Sequence, residues 1–286
     1  TAVMKKGIVV CHNTGLGDFI VMNGATRYLS TVFDKVFVLC WEGGKFRHVD
    51  WMYRNDENII PYAKPHPKSS RQAMLRQNAS YQEIVEQNPD IDFCQFNRGY
   101  MTKENLWLQN ISKHGFNVDD ISWPQLFYAM QGVPYSHRHE SYRIDRDEQR
   151  EQELFDSMNL PEEYVFVVDE GRKYTFNVVP ETHLPIVNPK NYHYFSGKPY
   201  NYENTYMFDW IKVIENAYEI HTVDTGWLHL IRTLKLDVPK YWWDDLNTGE
   251  RWHHGSEYLN ESYENGWEKR HAQGYQQKRN YWLKEF

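Results

Sequence analysis

The sequence predicts an α/β protein made of two halves, each a set of buried parallel strands alternating with helices. Three observations carry this. "GIVVC" (residues 7–11) and "KVFVLC" (residues 35–40) are continuous apolar runs rich in β-branched residues, the pattern of strands covered on both faces. Between them Phe19, Ile20, Met22, Ala25, Tyr28 and Leu29 recur at helical spacing, which completes a strand–helix–strand unit. After a heavily charged stretch, "RIDRDEQREQELFDSMNL" (residues 143–160), the pattern restarts with "YVFVVD" (164–169) and "EIHTV" (219–223). A length of 286 residues is comfortable for two small domains, and we place them at 1–150 and 151–286. The charged stretch reads either as a connector or as the first helix of the second half.

Taken in order, residues 55–71 hold Pro61, Pro65 and Pro67 among Lys64, Lys68 and Arg71, and read as an irregular loop. Residues 72–88 are helix-like and stop before Pro89; "DIDFCQF" (90–96) is a strand; residues 105–114 and 124–130 read as helices. In the second half "HLPIVNP" (183–189) is a weak strand, "YMFDWIKVIENAY" (206–218) a helix with one apolar face, and "WLHLIRTLKL" (227–236) another helix. From residue 254 onward the tail shows spaced aromatics without strand signals, so one or two packing helices are expected there.

Composition excludes several classes. A formal net charge of −7 argues against general nucleic-acid binding, which depends on Lys and Arg neutralising phosphates. The 3 cysteines, Cys11, Cys40 and Cys94, have neither even number nor metal-type spacing, so neither a disulfide framework nor a zinc site is expected. No apolar run approaches the roughly 20 residues of a membrane span, and the N-terminus lacks a signal-type apolar stretch; a cytoplasmic setting is the expectation. Aromatics make up 16% of the chain, and Tyr and Trp fill cores and line sugar clefts alike.

Three motifs bear on chemistry. "TGLGDF" holds Gly15, Gly17 and Asp18 between the first strand and a helix. Its backbone N–H groups form a positive concavity, yet the third glycine of a dinucleotide fingerprint is missing. Asp18 reads here as a helix cap, where a carboxylate accepts orphan N–H bonds. "HTVDTGWLHL" places Asp224, Thr225 and Gly226 at the carboxyl end of a buried strand, with His229 one turn into the next helix on the same side. Capping and packing account for each residue singly; the combination points to an anion site. "VVDEGRKYTF" puts Arg172 and Lys173 just past a strand end, which suits phosphate clamping and equally an ordinary solvated loop. His137, His139, His253 and His254 lie in polar stretches without thiolate or carboxylate partners and read as surface histidines.

"GLGDFIVMNGATRYL" together with "IENAYEIHTVDTGWLHLIRTL" resembles the lipopolysaccharide heptosyltransferase family and, more distantly, fucosyltransferase-like enzymes of the same GT-B class. Asp224, Thr225, Gly226 and His229 match the family's D-[TS]-G-x-x-H signature at every defined position. The resemblance implies two opposed Rossmann-like domains with a cleft between them. It implies a nucleotide-sugar donor on the second domain, its diphosphate at Asp224–Thr225–Gly226 and near His229 and Arg172 or Lys173. A glycan or other hydroxyl acceptor falls to the first domain, beside Gly15 and Gly17. Asp18 matches the family's general base. The chain is shorter than typical members, its loop after Asp169 departs from the family pattern, and the stretch after the late helix has its own aromatic and acidic character. Neither donor nor acceptor identity therefore carries over.

These readings predict a glycosyltransferase acting on a nucleoside-diphosphate sugar, metal-independent and inverting, without a cofactor. The alternatives are a non-catalytic carbohydrate- or nucleotide-binding protein of the same fold and a nicotinamide-dependent Rossmann enzyme. Against the last stand the incomplete glycine fingerprint and the lack of an acidic ribose partner after the second strand.

Overall fold

The computed structural model describes residues 3–12, 15–94, 97–98, 122–171, 174–192, 205–244 and 266–277. The chain divides into two compact units, the first running to Asp145 and the second starting at Arg146.

In the first unit β1 (Lys5–Cys11), β2 (Lys35–Trp41), β3 (Ile59–Lys64) and β4 (Ile91–Phe93) form a parallel sheet in the order β3-β2-β1-β4. The two-residue β5 (Asn97–Arg98) also lies parallel to β1, against its last residues. Val9, Val10, Val36, Val38 and Leu39 are buried, which is why β1 and β2 read as unbroken apolar runs. The sheet leads from β1 into α1 (Leu16–Val21) and α2 (Asn23–Val32), from β2 into α3 (Gly44–Met52), and from β3 into α4 (Ser70–Gln87). Ser69 starts α4 by accepting the Gln72 N–H on its hydroxyl at 3.1 Å. The later Trp123–Met130 helix opens on Ser122, whose side chain caps it while Gln125 reaches back to the Ser122 N–H at 2.8 Å.

Residues 55–71 are not the continuous loop expected from their prolines. Six of them are β3, paired along β2 with Pro61 opposite Val38. β3 is the outermost strand, so the donor that proline lacks is not needed on the open side. Gly24 in α2 has a packing reason. A Cβ there would run into the carbonyl of His137 and the hydroxyl of Tyr128, which itself donates to the Val21 carbonyl at 2.8 Å.

The second unit begins with the charged stretch, which is a helix. Glu148–Ser157 is capped by Asp147, whose Oδ1 accepts the Arg150 N–H at 3.1 Å. Its charges are engaged: Arg146 pairs with Glu151 and Glu215, and Arg150 with Asp209. The strands β6 (Val165–Val168), β8 (Ile186–Val187), β9 (Glu219–Val223), β10 (Lys240–Asp244) and β11 (Trp267–His271) form a second parallel sheet in the order β11-β10-β9-β6-β8. A separate antiparallel pair joins β7 (Tyr174–Phe176) to β12 (Tyr275–Gln277). Residues 206–218 form a 3-10 turn, Met207–Trp210, and a short helix, Ile211–Glu215.

The helical tail needs correction. Its described part, residues 266–277, is β11 and β12. β11 is an edge strand whose sequence, WEKRH, buries Trp267 and leaves Glu268 in solvent; an edge needs little apolar signal. The remainder of the tail, and the expected helix at 105–114, lie outside the described residues.

Candidate functional site

Topology selects where to look. Open parallel α/β sheets bind ligands at the carboxyl ends of their strands, where the strand order reverses direction. Counted within the second sheet, the strands run 2-1-3-4-5, so the reversal lies between β6 and β9. In the first sheet the order 3-2-1-4 puts it between β1 and β4. Both glycine-bearing turns leave strands that flank these points.

At the second sheet, β9 ends at Val223 and the Gly226–Thr233 helix starts three residues later. Thr225 is its cap, the hydroxyl accepting the Trp227 N–H at 3.0 Å. His229 is buried, and its Nε2 lies 3.6 Å from Oδ1 of Asp224, which remains partly exposed. The Asp224 and His229 side chains thus stand together at the start of this helix. The exit of β6 meets the same turn. Phe176 N–H donates to the Asp169 carbonyl at 2.8 Å and Gly171 N–H to the Tyr174 carbonyl at 2.9 Å, so the chain folds straight back into β7. A Cβ on Gly171 would sit 3.6 Å from the Asp224 carbonyl oxygen. Arg172 and Lys173 lie outside the described residues.

Asp169 is oriented by two neighbours. Asn188 Nδ2 donates to its Oδ1 at 2.9 Å, and Lys190 Nζ to its Oδ2 at 2.6 Å. Sequence reading passed over Lys190; the available signal was a lysine three residues after a short strand, "IVNPK". Farther from the strand ends, His221 is buried with Trp243 Nε1 donating to its Nδ1 at 2.8 Å and Glu219 at its Nε2 at 2.8 Å. Burial holds its pKa below the usual histidine value.

At the first sheet, Gly15 precedes α1, and Asp18 is in the first turn. The Asp18 Oδ2 accepts the Gly15 N–H at 3.0 Å while Asp18 N–H donates to the Gly15 carbonyl at 3.1 Å. The capping function read from the sequence is therefore present. Gly17 lies inside the helix, half-buried; Asn13 and Thr14 are outside the described residues. Just ahead of the turn His12 is buried, and burial together with the Lys64 charge pushes its pKa down to about 3. Its Nε2 lies 2.8 Å from the Thr26 hydroxyl, which donates onward to the Met22 carbonyl at 3.0 Å, so the imidazole supplies the proton between them. Lys64 is 2% exposed; its ammonium lies 3.4 Å from Cys11 Sγ and 4.1 Å from the centre of the Trp41 ring. Burial raises the Cys40 thiol to about 12.

Among the described residues there is no group of three or more metal-ligating side chains, and no helix long and apolar enough to cross a membrane. His137 stacks on Tyr28 at 4.1 Å and bonds Ser141, which gives it a packing role. His253 and His254 lie outside the described residues.

Each unit is thus an open parallel α/β domain of Rossmann-like order, with a glycine-bearing turn leaving a strand at the order reversal. No family model and no curated protein matches the chain. Among solved structures it is similar to a glycosyl transferase family 9 protein from Veillonella parvula, at 11% identity and TM-score 0.48, over 93% of this chain and 86% of that one. It is also similar to E. coli ADP-heptose LPS heptosyltransferase II, at 10% identity and TM-score 0.48, over 93% and 89% of the two chains. A third is E. coli heptosyltransferase WaaC with ADP, at 12% identity and TM-score 0.38, over 91% and 99%.

Proposed function

We propose that the protein is a glycosyltransferase that moves a sugar from a nucleoside-diphosphate donor to a hydroxyl acceptor, with inversion and without a metal. The observation that carries this reading is the Asp224–Thr225–Gly226 turn with His229, standing at the strand-order reversal of the second sheet and touched by the exit loop of β6. A backbone turn that opens a helix offers N–H groups and the positive end of the helix dipole to an anion.

In this reading the acceptor oxygen attacks the anomeric carbon, and Asp18 takes the hydroxyl proton as the new C–O bond forms. The bond to the diphosphate breaks, and the diphosphate leaves with the electron pair. The growing negative charge is met by the N–H groups at Gly226 and by Arg172 or Lys173, which do the electrostatic work a metal does elsewhere. His229 braces the turn through Asp224. Asp18 keeps its capping bond in this scheme: a carboxylate has about four lone-pair sites, and the Gly15 N–H occupies one.

The test is Asp18→Asn, which keeps the shape and the cap but removes the base. Transfer should fall by at least about a hundredfold, with donor affinity within about twofold of wild type. An active Asp18→Asn enzyme would overturn the assignment.

A further inference from the structure

Resting on that reading, we propose that Lys190 is a cation that meets the donor's diphosphate, and that Asp169 is its internal counter-ion, exchanged for phosphate when the donor binds.

Position comes first. Lys190 follows β8, the outer strand beside β6, and reaches across to Asp169, the residue after β6. β6 lies next to β9 with Val168 opposite Thr222, and just past Asp169 a Cβ on Gly171 would sit 3.6 Å from the Asp224 carbonyl oxygen. Neighbouring strands are about 4.8 Å apart. The ammonium is therefore held at the end of β6, the strand next to the one that runs into the Asp224–Gly226 turn.

The pair is also seated rather than loose. Asn188, 5% exposed, donates its Nδ2 to Asp169 and accepts the Lys190 N–H on its Oδ1 at 3.2 Å. One buried amide thus fixes the carboxylate and the base of the lysine together. The Lys190 side chain is nevertheless 33% exposed, and its ammonium has three donors, of which Asp169 takes one. A partly exposed lysine–carboxylate pair is worth little to stability, so exchanging one oxyanion for another costs little. A diphosphate carries more charge than a carboxylate and wins the exchange. Once the product has gone, Asp169 restores a paired lysine.

The experiment is calorimetric titration of ADP, GDP and UDP, and of the matching nucleosides, into wild type, Lys190→Gln, Lys190→Arg and Asp169→Asn. Wild type should bind at least one diphosphate. Lys190→Gln should weaken that diphosphate roughly tenfold or more while leaving the nucleoside unchanged, and Lys190→Arg should restore most of the affinity. Asp169→Asn should bind the diphosphate more tightly, because the competing anion is gone. Unchanged diphosphate affinity in Lys190→Gln overturns the assignment of Lys190 and leaves the glycosyl-transfer reading standing. Weaker binding in Asp169→Asn overturns the counter-ion role. Wild type that binds none of the three diphosphates overturns the glycosyl-transfer reading and this inference with it.

Discussion

Asp18 shows how one side chain serves two ends. Its carboxylate folds back on the Gly15 N–H, and Gly15 lets it come near: a Cβ there would lie only 3.3 Å from Oδ2. The cap was legible from sequence because it is local. Two buried histidines were not, because their burial comes from distant elements. His12 and His48 both have pKa values pushed down to about 3, chiefly by burial, against 6.5 for the exposed group. Between those values the unfolded chain binds more protons than the native one, so stability rises with pH across that window and falls as pH drops from about 6.5 toward 3. Each histidine contributes a slope of up to about 1.4 kcal/mol per pH unit. Denaturant unfolding from pH 7 to pH 4 should show this, and His12→Asn should flatten it. Lys64 poses the opposite case, a buried ammonium lying against a sulfur and a ring face. Replacing a buried charge by an apolar chain of similar length is usually neutral or stabilising. Lys64→Met should hold or raise the denaturation midpoint; a loss above about 2 kcal/mol would contradict this account.

Among elements, those buried on both faces were the readable ones. β1, β2 and β6 appear as apolar runs because each is flanked by other strands and covered above and below. β3 and β11 were missed for a common reason: an edge strand pairs along one side only, so it tolerates Pro61 in one case and the charged WEKRH in the other. β10, "KYWWD", follows Pro239 directly and carries charges at both ends, which masked its buried Trp242 and Trp243. At the candidate site the start of the Gly226–Thr233 helix is held by the Thr225 side chain. Thr225→Ala removes its cap and should cost about 1 kcal/mol, read as a lower midpoint in denaturant. Gly24→Ala should cost about 1–3 kcal/mol, since α2 must move away from the His137 carbonyl to admit a methyl group.

For the whole molecule, the strand orders matter more than any single motif. The order 2-1-3-4-5 in the second sheet puts "DTGWLH", a capped helix start, at the edge where open α/β sheets bind ligands. A ligand held there stabilises the native chain by RT ln(1 + [L]/Kd), about 2.7 kcal/mol at a hundredfold excess over Kd. One of ADP, GDP or UDP should therefore raise the unfolding temperature by several degrees. A flat response to all three would remove the donor site from the account. Both units hold arginine–carboxylate pairs, Arg27 with Asp56 in the first. In the second, Arg146, Arg150 and their carboxylates pin the Glu148–Ser157 helix to the segment before β9, which is why "RIDRDEQREQEL" is structural rather than a linker.

By itself the sequence determined what depends on neighbours in the chain: the buried strands, the turns that follow them, the caps at Asp18 and Thr225, and the D-T-G-x-x-H spacing. Periodicity and capping act over a few residues, so they survive in one dimension. Only the tertiary structure decided which strands adjoin, and with that the meeting of the β6 exit with the Asp224 turn. The same holds for the edges at β3 and β11, the neutral His12, and Lys190 on Asp169. Those facts rest on contacts between segments far apart in the chain, where burial and strand order, rather than local pattern, set the energy.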